Sequence, residues 1–304
     1  MTTDGAWTTP AGLYVHEAGP GPLVVLVHGV MDRSNGMLRT RRILQPEMRI
    51  VRYDRRGYGR SRPGAPVVTD FARQVDDLAE VLAGRPAVVV GHSFGGILAL
   101  ALAEQHPDLV RSVVAYEAPM MWADSWTGTS RTFRLPSGGE GAGAVGAAAA
   151  VEAEARAASP DGDGASDGDG ASASAPPDDG PGDAAEWFMR RMLGDELWER
   201  LPRAMREDRR AEGPAMLADM RSVQPPAPPP YAAEKVQVPV VSAYGGQGRD
   251  RHRQAAVYVA DHAPDAELYE VPGADHGVHL SDPQGFADLV RRGVARAEGA
   301  PARR

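Results

Sequence analysis

The chain alternates between short, continuously apolar runs and longer segments with helical spacing. Pro22 to Val27, Met48 to Tyr53, Ala87 to Val90, Val110 to Tyr116, Pro239 to Tyr244 and Ala266 to Val271 are the strand candidates. A run such as Leu23-Val24-Val25-Leu26-Val27 lacks polar alternation. That predicts a strand buried on both faces, as in a parallel sheet. Ile97 to Glu104 reads as helix. Trp187, Phe188, Met192, Leu193, Leu197, Trp198 and Leu201 recur at three- and four-residue intervals, the apolar stripe of a helix broken or bent at Gly194. A second helical run, Ala215 to Val223, carries Met216, Leu217 and Met220, and the proline-rich stretch Pro225 to Pro230 stiffens the chain after it. Strands interleaved with helices predict the α/β class.

One segment breaks the pattern. From Ser137 to Asp183 the chain is nearly all Gly, Ala, Ser, Pro, Asp and Glu. It has little apolar bulk to offset the entropy of ordering, so a disordered insertion is expected. Its Asp-Gly alternation at 161–170 has a faint likeness to a calcium loop. The glutamate such a loop needs at its twelfth position is missing, and no metal is expected.

Chemistry enters at Gly91-His92-Ser93-Phe94-Gly95-Gly96, set between an apolar strand candidate and a helix candidate. Strand, Gly-x-Ser-x-Gly and helix in that order make a nucleophile elbow. The tight turn thrusts the Ser93 hydroxyl out beside a helix N-terminus, where developing negative charge is favoured. An oxyanion hole needs the N–H of the residue after the nucleophile, here Phe94, and one from an earlier strand's loop. His28-Gly29-Val30 follows such a strand, so Val30 is the expected second donor and His28 a structural residue bonded to loop backbone.

These motifs, with Asp54-x-x-Gly57-x-Gly59-x-Ser61 after the next strand and Val271-Pro272-Gly273-Ala274-Asp275-His276 near the C-terminus, resemble the α/β-hydrolase family over residues 10–122 and 236–297. The resemblance implies an eight-stranded, mostly parallel sheet with helices on both faces and a helical cap inserted after the sixth strand. The expected division is a core formed by 1–122 and 236–304, and a cap over 123–235 that contains the disordered insertion at 137–183. His276 takes the family position of the general base, with His279 the rival three residues on. The family's usual acid slot after the seventh strand falls on Gly248, which cannot orient an imidazole. Two carboxylates could replace it. Glu117, at the end of the sixth strand candidate, is preferred, because some relatives place the acid there; Asp250, between Arg249 and Arg251, is the alternative. Met120, Met121 and Trp122 begin the cap just after Glu117 and are expected to line the substrate pocket.

Composition narrows the classes. The 304 residues include no cysteine, which excludes disulfides, thiolate nucleophiles and thiolate metal sites. The net charge of −8 argues against nucleic-acid or anionic-membrane partners. Neither a long apolar span nor a signal-peptide pattern is present at the N-terminus, so a cytoplasmic enzyme with a small-molecule acyl substrate and no cofactor is expected. Its oligomeric state is not readable. The expected activity is hydrolysis of a small or medium carboxylic ester, lactone or thioester through an acyl-enzyme on Ser93. A carbon–carbon bond hydrolase, a cofactor-free perhydrolase or haloperoxidase, and a non-catalytic binding module on a hydrolase scaffold remain alternatives.

Overall fold

A computed structural model describes residues 3–68, 70–123, 180–225 and 227–299. The apolar runs become strands of one eight-stranded sheet: β1 Thr3–Thr8, β2 Tyr14–Gly19, β3 Leu23–Val27, β4 Arg49–Tyr53, β5 Ala87–His92, β6 Val110–Tyr116, β7 Val240–Gly245 and β8 Ala266–Val271. Their order is β1-β2-β4-β3-β5-β6-β7-β8. β1 pairs antiparallel with β2, and β2 with β4; every later pairing is parallel.

Continuous hydrophobicity has a simple cause here. Neighbours along a strand point to opposite faces, and both faces are covered. Val25, Val27 and Val89 enter a core shared with α2 (Phe71–Leu82) and α3 (Phe94–Gln105). Val24, Leu26, Val88 and Val90 enter the core on the other face, against α1 (Leu38–Leu44). Helix α3 is apolar all round, and Ile97 through Ala103 are fully buried.

Between β6 and β7 the described residues form four helices: α4 Pro181–Leu193, α5 Asp195–Arg200, α6 Arg203–Arg210 and α7 Gly213–Ser222. The expected stripe spans two of them, because Gly194 adopts φ +83° and separates α4 from α5. Met189, Leu193, Trp198, Leu201 and Met216 form a core with Met31 and Tyr58, which belong to loops at the sheet's edge. The low-complexity segment expected to be disordered over 137–183 lies outside the described residues up to 179. Its last three residues correct that expectation. Pro181 to Asp183 form the first turn of α4, where proline is tolerated and an aspartate meets the positive helix end; Asp183 also binds Arg210 of α6.

The remaining helices among the described residues are α8 Asp250–His262, α9 Val278–Ser281 and α10 Pro283–Gly299. Among the described residues, no helix is long and apolar enough to cross a membrane.

Candidate active site

The β5–α3 turn holds Ser93 at φ +53° and ψ −123°, a conformation that L-residues rarely adopt. Two glycines make it possible. A Cβ on Gly91 would stand 2.1 Å from the Gly95 carbonyl oxygen, and one on Gly95 would stand 2.2 Å from the Val27 carbonyl oxygen. The turn is pinned by the Ser93 N–H, which donates to the Tyr116 carbonyl at 2.9 Å. Ser93 itself is half-buried at the head of α3.

Behind it lies a buried acid. Glu117 follows β6 at φ +46° and is fully buried. His276 Nδ1–H donates to Glu117 Oε2 at 2.6 Å. A carboxylate oxygen only accepts, so this contact sets the tautomer and leaves His276 Nε2 able to take a proton. The Gly245 N–H donates to Oε1 at 3.0 Å, and His252 Nδ1 lies 3.2 Å from Oε2. Burial alone would raise the Glu117 carboxyl, but hydrogen bonds from His252 and His276 outweigh it and hold the group well below the usual carboxylate range. Asp250, the alternative acid, is exposed and lies 3.5 Å from Arg253. The structure thus brings Glu117, and not Asp250, to His276.

His92, next to Ser93, holds His276 from the other side. Its Nε2–H donates to the His276 carbonyl at 2.6 Å, and the two rings lie 4.8 Å apart. Burial pushes His92 well below its ordinary value, keeping it neutral.

The loop after β3 approaches Ser93 closely. An ideal Cβ on Gly29 would sit 3.1 Å from both Ser93 Cβ and His92 Nδ1. His28 has both ring nitrogens engaged: Nε2 accepts from the Arg55 N–H at 2.9 Å, so Nδ1–H donates to the Gly29 carbonyl at 2.8 Å. Arg55 then grips the His28 and Gly29 carbonyls at 3.1 and 3.0 Å. Its other hydrogen bonds run to Gln74 at 2.6 Å and to Asp219 of α7 at 2.7 and 3.1 Å. One buried guanidinium therefore ties the loop that ends in Val30 to the helical insertion. Val30 packs against the same core as Phe94.

Met120 and Met121 are buried, and half-buried Trp122 stacks edge-on against Tyr231 at 5.4 Å. Met121 belongs to the same core as Phe94 and Met220, and an ideal Cβ on Gly96 would stand 2.8 Å from Ala118 Cβ, so the chain just after Glu117 lies against the start of α3. His279, the rival base, is buried elsewhere, with Nε2–H donating to Asp32 Oδ2 at 3.1 Å. Among the described residues, two clusters, Glu117 with His252 and His276, and Asp32 with His92 and His279, bring side-chain atoms within 4.8 Å of one another, close enough for a cation to bridge. In each, a carboxylate oxygen is already taken by an imidazole, and no metal is assigned.

Sequence reasoning missed His252 and the Arg55–Asp219 pair. For His252 a signal existed: with Ala255, Ala256 and Val259 it forms the buried stripe of α8, a histidine at the head of an inward-facing helix side. Arg55 and Asp219 are separated by 164 residues and carry no local pattern.

A profile of the alpha/beta hydrolase family matches residues 24–289. Among curated proteins, a 2-(acetamidomethylene)succinate hydrolase of Mesorhizobium japonicum is 36% identical over 107 residues, 34% of this chain and 38% of that protein. Lipase LipV of Mycobacterium tuberculosis is 42% identical over 107 residues, 34% of this chain and 40% of that protein. The chain spans about two fifths of the length of these relatives. The crystal structure of an alpha/beta hydrolase from Sphaerobacter thermophilus superposes with a TM-score of 0.62 at 22% identity, covering 95% of this chain and all of that one, a likeness of fold. The chain belongs to the alpha/beta hydrolase family.

Proposed function

We propose that the protein hydrolyses a small or medium carboxylic ester, lactone or thioester through an acyl-enzyme on Ser93. The 2.6 Å bond between His276 and the buried Glu117, behind a strained serine elbow, carries this reading. His276 Nε2 takes the Ser93 proton as the serine oxygen attacks the carbonyl carbon. The N–H groups of Phe94 and Val30 stabilise the oxyanion, and collapse of the tetrahedral intermediate expels the leaving group, which receives the proton from His276. Water, deprotonated by His276, then cleaves the acyl-enzyme and regenerates Ser93.

Residues 123–235 act as a cap on a core formed by 1–122 and 236–304. Met120, Met121 and Trp122 give the pocket an apolar wall, which favours a small-molecule acyl group over a highly charged one. The enzyme works in the cytoplasm, and its net charge of −8 disfavours nucleic acid and anionic membranes as partners. A decayed, binding-only site finds no support in the empty slot at Gly248, because the Glu117 carboxylate occupies the space beside it.

The test is intact-mass measurement of the protein mixed with p-nitrophenyl acetate, and separately with a fluorophosphonate probe. Wild type gains one acyl or phosphonyl adduct on Ser93 and releases p-nitrophenol. Ser93→Ala does neither while keeping the wild-type circular dichroism spectrum. Equal turnover in Ser93→Ala would overturn the proposal.

A further inference from the structure

Glu117 Oε2 serves two imidazoles, and the acyl-transfer chemistry uses only one. His276 Nδ1 lies 2.6 Å from it and His252 Nδ1 3.2 Å, with the two rings edge-on and their centroids 4.6 Å apart. The other oxygen, Oε1, accepts from the Gly245 N–H. Two hydrogen-bond donors, the Gly245 N–H of β7 and His276 on the loop after β8, and the close Nδ1 of His252 on α8 therefore converge on one carboxylate.

We propose that His252 is a positioning residue for the acid: its neutral Nδ1–H, donated to Glu117 Oε2, fixes the carboxylate and moderates its pull on the His276 proton. The inference rests on the acyl-transfer reading above. Among the described residues, the titratable groups that act on His252 include Glu117 at the end of β6, His276 on the loop after β8, and Arg251 on its own helix. Burial, then the neighbouring His276, outweigh the attraction of Glu117 and hold His252 down at about 4, so it is neutral at working pH.

The tautomer follows from the partner, since a carboxylate accepts and the nitrogen facing it must carry the hydrogen. A neutral second donor has a definite chemical consequence. Negative charge on Oε2 is shared between two N–H groups, so the carboxylate stabilises the His276 imidazolium less than it would alone. His276 then remains an unprotonated base to lower pH. A merely space-filling ring at 252 would not act in this way.

Two variants and one spectrum separate these roles. His252→Phe keeps a ring and removes the donor; His252→Asn places an amide N–H close to the former Nδ1. With p-nitrophenyl acetate, the acidic limb of kcat/KM in His252→Phe should move up by about one pH unit, the scale of one lost hydrogen bond to a charged group. In His252→Asn the limb should return toward its wild-type position. An unmoved limb in His252→Phe, or an equal shift in both variants, would overturn the proposal. Independently of activity and of any variant, nitrogen-15 histidine spectra of the wild type at pH 7 should show His252 neutral with Nδ1 protonated. An Nε2-protonated or charged ring would overturn it as well. A wild type that hydrolyses no ester would sink the acyl-transfer reading, while the spectrum would still decide whether His252 donates to Glu117.

Discussion

Gly248 has no side chain because the Glu117 carboxylate fills the space one would need. An ideal Cβ at Gly248 would stand 2.1 Å from Glu117 Oε1 and 3.2 Å from its carboxyl carbon. Glu117 stands at the end of β6, yet its carboxylate fills the volume beside Gly248, after the end of β7. Geometry demands only that a carboxylate face His276 Nδ1, and β6 and β7 are paired in parallel, with Tyr116 opposite Ala243.

Gly248→Ala should therefore behave as a catalytic lesion without touching substrate. Its methyl group would push the carboxylate off His276, and displacement of that order costs about 100-fold in turnover. Steady-state hydrolysis of p-nitrophenyl acetate, with circular dichroism as the control for folding, measures it. Wild-type turnover in this variant would contradict the packing of Glu117 against Gly248.

Asp219→Ala should weaken the whole protein. It strips the carboxylate from a fully buried Arg55 whose partners are otherwise Gln74 and the His28 and Gly29 carbonyls. Removing one member of a buried pair typically costs about 3–5 kcal/mol. Urea unfolding should show a loss of that size. A loss below about 1 kcal/mol would mean that Arg55 finds full compensation elsewhere.

Stability should fall on mild acidification. Burial holds His28 and His252 at about 4 against an ordinary 6.5, and holds His92 well below it. Between pH 6.5 and about 4 the unfolded chain binds protons that the folded chain refuses, so each of these histidines withdraws stability as pH drops, by up to about 1.4 kcal/mol per pH unit. Glu117, depressed below 4.5, adds to the loss in the same direction at lower pH. Urea midpoints at pH 7.5 and pH 5.0 measure the sum. Equal or greater stability at pH 5.0 would contradict the buried, neutral state of these rings.

Much of this was legible in the chain. The sheet could be read because strands covered on both faces leave continuous apolar runs, as at Leu23–Val27 and Ala87–His92. The elbow could be read because Gly91 and Gly95 are forced by backbone contacts, and such constraints leave a fixed spacing. Glu117 emerged from a vacancy: with glycine at 248, the carboxylate at the end of the sixth strand, where some relatives of the family place the acid, was preferred to the nearer Asp250. The rest depends on contacts across distance. His252 declares its role only when α8 is laid against β6, and the Arg55–Asp219 pair only when the insertion is docked on the loop after β4. The helical start at Pro181–Asp183 was hidden because its composition matches the low-complexity stretch before it, while its order comes from Arg210 and the helix dipole.

The account turns on which carboxylate serves His276, and one comparison decides it: kcat/KM for p-nitrophenyl acetate in Glu117→Gln against Asp250→Asn. Glutamine keeps the shape but offers His276 Nδ1 the wrong partner, and a comparable acid-to-amide change in a serine protease costs about 10⁴-fold. The expected result is a loss of that order in Glu117→Gln with the fold intact, and a change of less than about fivefold in Asp250→Asn, whose exposed carboxylate contributes little. A nearly silent Glu117→Gln beside an inactive Asp250→Asn would contradict the account.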